Sequence, residues 1–86
     1  MTMRELNAYR KAGRKQRTSV RMRGIREGLN KILFRLQTKE GAAEWCRLIE
    51  LRYIQARSIQ ITCMEMHISE RTYFRLLKKI KAYIEH

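Results

Sequence analysis

The 86-residue sequence predicts an all-α fold of four to five helices, closing in a C-terminal helix-turn-helix at about residues 58–84. Three observations predict it. Apolar residues recur at steps of three and four in the long stretches, the period of one helix face, and strand-like alternation persists nowhere. The composition, 44% hydrophobic with no proline, is that of a globular chain rather than a disordered one. Residues 59–78 then place a short helical stretch, a turn and a capped longer helix in succession.

The elements follow in order. Residues 1–17 are read as a basic N-terminal arm or frayed helix, and residues 18–86 as the domain proper. Thr2 stands three residues before Glu5, the spacing of a capping box, and Gly13 interrupts the helix after Ala12. This segment has little to bury beyond Leu6, Ala8 and Tyr9. From about Arg17 to Gln37, Met22, Ile25, Leu29, Ile32 and Leu36 fall at intervals of 3, 4, 3 and 4, with Leu33 alongside. Two readings fit that stripe: packing on the rest of the domain, or the seam of a homodimer. Gly24 and Gly28 weaken this helix by about 1 kcal/mol each relative to alanine.

Thr38-Lys39-Glu40-Gly41 forms a break. A third helix is expected from about Ala42 to Ala56, with Trp45, Leu48, Ile49, Arg52, Tyr53 and Ala56 on one face and Trp45 as a core anchor. Ser58 caps a short helix from Ile59 to Met66, His67-Ile68 makes a tight turn, and Ser69 caps a helix to about Glu85. The apolar stripe of that last helix is Tyr73, Leu76, Leu77, Ile80 and Ile84.

Charge narrows the function classes. Twenty Lys+Arg against eight Asp+Glu give a net charge of +12, which attracts polyanions. Residues 1–37 alone hold 11 basic and 2 acidic side chains. No stretch of about 18 apolar residues exists, so no membrane partner is expected, and the expected location is the cytoplasm. Cys46 and Cys63 read as free thiols. Cys63 and His67 stand four apart, but two ligands do not make a zinc site, so no metal and no cofactor are expected. A glycine-rich phosphate loop is lacking, and no nucleophile sits with a base and an oxyanion donor, which argues against an enzyme.

The segment 59–78 carries the functional reading. Cys63 is small and inward, Met66 ends the first helix, Ile68 follows the turn, and Tyr73 and Leu76 pin the second helix. With those inward, Glu70, Arg71, Phe74, Arg75, Lys78 and Lys79 face outward. The first turns of a recognition helix reach base edges in the major groove of double-stranded DNA. Arg71 and Arg75 suit guanine, and Glu70 suits a cytosine amino group. Thr72 and Phe74 complete the base-reading set, Phe74 touching either a thymine methyl or the preceding helix. Ser69, Lys78, Lys79 and Arg57 suit phosphates. The basic arm, with Arg10, Lys11, Arg14, Lys15, Arg17 and Arg21, fits DNA, structured RNA or a protein surface.

The run from Leu48 to Ile84, with Leu51-Arg52-Tyr53, then Ser58, then "MHISERTYFRLLKK", resembles the C-terminal half of small phage transcriptional regulators of the ArpU/RinA-like kind. It is also similar to region 4 of bacterial sigma factors. The resemblance implies transcriptional regulation at promoter-proximal DNA, often of late phage genes, and RNA polymerase as a further partner. In this chain Cys63 replaces the usual alanine, Thr62 stands where an apolar residue is usual, and His67 takes the turn position where glycine is usual. A left-handed backbone there strains histidine, so an extended turn is the alternative to the tight one. The alternatives are an RNA-binding antitermination-type protein using the arginine-rich segment, and a helical adaptor for a polymerase or terminase subunit.

Overall fold

The computed structural model describes residues 1–85. Helix α1 spans Met3–Lys11, α2 Val20–Gln37, α3 Ala43–Ile49, α4 Ile59–Met66 and α5 Glu70–Glu85. A 3-10 turn at Gln16–Thr18 precedes α2, and a π-helical segment, Glu50–Ile54, prolongs α3. The described residues contain no strand, so the chain is all-α with five helices.

Local chemistry sets the helix starts. The Thr2 hydroxyl accepts from the Glu5 N–H, and the Glu5 carboxylate accepts from the Thr2 N–H, closing the capping box. Ser19 caps α2 by accepting from the Met22 N–H at 3.2 Å, which starts that helix at Val20 rather than near Arg17. Ser58 caps α4 through the Ile61 N–H at 3.1 Å. Between α2 and α3 the chain reverses through Gly41 at φ 79, a conformation glycine adopts without strain.

One core unites all five helices. It takes Leu6 and Tyr9 from α1, Leu29 and Leu36 from α2, Leu48 and Ile49 from α3, Cys63 from α4, and Tyr73 and Ile80 from α5. The Cα radius of gyration is 12.5 Å, against about 12 Å for a single folded domain of this length.

Three sequence expectations give way to the structure. The N-terminal segment is neither a frayed helix nor an arm apart from the domain. Leu6 is fully buried and Tyr9 nearly so, because α1 packs on α2, on the π-helical segment and on α5. The α2 stripe supplies Met22, Ile25, Leu29 and Leu36 to the chain's own core, so it is not a seam for a second copy. The third helix is not a uniform α-helix: the wider π turn buries both Leu51 and Tyr53, and Ala56 leaves the helix at φ 56, exposed. Trp45, expected as a core anchor, is partly buried and packs against that core, edge-on to Tyr83 with ring centroids 6.0 Å apart.

Candidate nucleic-acid interface

Helix α5 is fixed on one side and open on the other. Tyr73, Leu76, Ile80 and Ile84 are buried against the rest of the molecule. At about 100° per residue, the line opposite them is Arg71, Arg75, Lys78 and Ala82, and all four are exposed. Ser69 sets the start of the helix: its hydroxyl oxygen accepts from the Thr72 N–H at 3.2 Å, and its O–H donates to the Thr72 hydroxyl at 3.2 Å. The N–H groups of Glu70 and Arg71, the first two of the helix, lie outside its hydrogen-bond ladder.

The turn between α4 and α5 aims this face. It is the tight turn expected at His67-Ile68, closed in the left-handed conformation rather than extended to spare the histidine. His67 stands at φ 57 and ψ 44, its N–H donates to the Met64 carbonyl at 3.2 Å, and the Ile68 N–H reaches the Cys63 carbonyl at 3.0 Å. That pair of bonds is a Schellman closure, normally served by glycine. Thr62 is fully buried, and its hydroxyl donates to the Ser58 carbonyl at 2.8 Å, so a polar residue is tolerated at that apolar position.

The predicted contacts divide among three faces. Arg71, Arg75 and Lys78 share the outer line, with Glu70 exposed beside it. Phe74 is half-exposed, meets Tyr73 edge-on at 5.1 Å, and lines a groove of about 400 Å³ with Ile59 of α4, Asn7 of α1, Arg52, Lys78 and Lys81. Lys79 lies on the opposite flank, in a groove of about 750 Å³ with Arg35, Trp45 and Tyr83. Lys78 and Lys79 therefore straddle the helix. Thr72 is half-buried, and Arg57 is exposed immediately ahead of α4, donating to the Gln55 side chain at 3.3 Å.

The basic N-terminal residues are not equivalent. Lys11, Arg14, Lys15 and Arg21 are exposed, and Lys11 and Arg21 line one shallow groove between α1 and α2. Arg10 is half-buried, with its Nε shielded from solvent. Arg17 serves the fold. Its guanidinium lies 4.2 Å from the centre of the Tyr9 ring and donates to the carbonyls of Tyr9 (3.2 Å), Ile54 (2.9 Å) and Tyr53 (3.4 Å). It thus caps the C-terminal end of the π-helical segment with a cation, where the helix dipole is negative.

Sequence reasoning missed Lys81, Arg35 and Arg52 as neighbours of this surface. Lys81 was detectable, being three residues after Lys78 and on the Phe74 side of the helix. Arg35 and Arg52 belong to other elements, and only the packing brings them alongside α5.

Buried titratable groups sit behind the exposed face. Burial, then neighbouring Tyr73, pushes the Tyr53 phenol up to about 12, against the pull of Arg52 and Arg10. Burial likewise raises Tyr73, with Arg52 pulling it back. Burial raises both thiols, with Glu70 adding to the effect at Cys63 and Glu50 at Cys46. Among the described residues, no three His, Cys, Asp or Glu side chains cluster as a metal site would require, and no helix is long and apolar enough to cross a membrane. Comparison with known proteins finds no family model, no curated protein and no solved structure that matches this chain.

Proposed function

We propose that this chain binds double-stranded DNA in a sequence-specific manner, with α4 and α5 acting as a helix-turn-helix and α5 lying in the major groove. The role that fits is a transcriptional regulator of the phage or prophage kind, working in the cytoplasm near promoters and beside RNA polymerase. The observation that carries this reading is the outer line of α5. Arg71, Arg75 and Lys78 point away from the core, and the one ion pair among the described residues, Arg47–Glu65 at 3.9 Å, lies elsewhere. Fork-shaped arginine donors on the first turns of a pinned helix suit guanine edges. The straddling lysines suit the two phosphate backbones that flank a groove, Lys78 with Lys81 on one side and Lys79 with Arg35 on the other. Phe74, half-exposed in the groove that Ile59 also lines, lies beside that line.

The RNA-binding alternative draws less on residues 10–26 than their composition suggests, since Arg17 is engaged with backbone carbonyls and Arg10 is half-buried. The test is selection of bound duplexes from a random pool, followed by competition of the selected duplex against structured RNA at physiological salt. Enrichment of a common sequence that outcompetes RNA supports the reading; a pool without consensus, or displacement by RNA, refutes it.

A further inference from the structure

Helix α2 carries a second line of residues, opposite its buried stripe. Val20, Gly24, Glu27, Lys31, Phe34 and Thr38 follow one another at steps of 4, 3, 4, 3 and 4, the spacing of a coiled-coil seam, and all six are exposed. Phe34 is 70% exposed and Val20 86%, while around Gly24 a Cβ would meet nothing within 4 Å. A phenylalanine so uncovered is unusual on a chain whose other aromatic rings are at least half-covered.

The line is also self-complementary when read backwards. Centred on residue 29, an antiparallel copy sets Phe34 against Gly24, Glu27 against Lys31, and Val20 against Thr38. Every layer pairs unlike partners: a ring with an open glycine, a carboxylate with an ammonium, a methyl-bearing side chain with the methyl of threonine. Among the described residues, neither Glu27 nor Lys31 is in an ion pair, although they stand four apart on one helix. On the flanks the same register sets Asn30 near its own twin and Arg23 near the second copy's Gln37. It also brings Arg21 near the second copy's Arg35, a like-charge approach at the solvent edge that keeps the association weak.

We infer that the outer face of α2 is the interface for a second copy of this chain, paired antiparallel about a two-fold axis near residue 29. The pairing is isologous, so each contact occurs twice and the surface closes on itself. It replaces the buried Met22–Leu36 stripe as the dimer contact and does not depend on the DNA reading.

Sedimentation equilibrium of the free protein, carried to about 1 mM chain to capture a weak dimer, reads the association directly. The wild type is expected to approach twice the 10.4 kDa chain mass. Phe34→Glu and Gly24→Gln, both at exposed positions, are expected to weaken association at least about tenfold with helicity unchanged. The register is tested by two further variants. Glu27→Lys alone and Lys31→Glu alone each set like charges opposite in both layers and stay monomeric. An equimolar mixture of the two sets opposite charges in both layers and forms the heterodimer. A monomeric wild type overturns the proposal, and so does a mixture that associates no better than its components.

Discussion

His67 holds the turn between α4 and α5 in the left-handed region, where a histidine is strained and a glycine is not. His67→Gly relieves that strain at some cost in unfolded-chain entropy, and is expected to raise stability by about 0.5–1 kcal/mol in urea unfolding; a loss of stability would show that the imidazole makes an interaction worth more than the strain. Arg17 is the converse case, a side chain whose removal leaves acceptors exposed. Arg17→Ala is expected to cost about 2 kcal/mol, as the charge-assisted bonds to the Tyr9 and Ile54 carbonyls disappear. Arg17→Lys recovers only part, since an ammonium cannot span both carbonyls as the guanidinium fork does. Tyr53 makes the fold sensitive to alkali. Its phenol rises from 10.0 to about 12 in the folded chain, so between those values the folded state holds a proton that the unfolded state has released. Its contribution is fully present below about pH 10 and is lost as pH climbs toward 12. Stability measured against pH should fall over that window, and Tyr53→Phe should flatten the fall.

At the scale of elements, the helices with strong caps were legible before the structure. Thr2, Ser58 and Ser69 mark α1, α4 and α5 because a hydroxyl at the N-cap position leaves a signature independent of tertiary context. The outer face of α5 was legible for the same reason: its buried face is a clean helical stripe. Three things were not. The docking of α1 rests on Leu6 and Tyr9, too few apolar residues to announce a core helix, yet both are buried. The π-helical segment has no sequence signature; it arises where Leu51 and Tyr53 must both turn inward. Arg17 reads as one more basic side chain until the carbonyls it caps are in place. The consequence for α1 is testable. Deleting residues 1–17 strips the core of two buried side chains, each worth about 2–5 kcal/mol, and is expected to unfold the domain. The contribution of this region to polyanion binding is therefore better read with Lys11, Arg14 and Lys15, all exposed, changed together to glutamine. The slope of log affinity against log salt is then expected to fall by about 0.9 for each phosphate that the variant no longer neutralises. An unchanged slope would show that the N-terminal face does not touch the nucleic acid.

Taken whole, the molecule is a small body with a net charge of +12 and, among the described residues, a single long ion pair at 3.9 Å. A surplus of that size attracts polyanions, and it raises affinity for any duplex regardless of sequence. On the proposed reading, specificity comes from side chains that reach base edges, and the outer line of α5 offers Arg71 and Arg75 on a helix pinned from behind. The measurement closest to that claim is affinity for a selected duplex and for random DNA, taken side by side for wild type, Arg71→Ala and Arg75→Ala at one salt concentration. Each substitution is expected to cost roughly 1–3 kcal/mol on the selected duplex and far less on random DNA. Equal losses on both would mean that these arginines meet phosphates rather than bases, and α5 would not be the reading head.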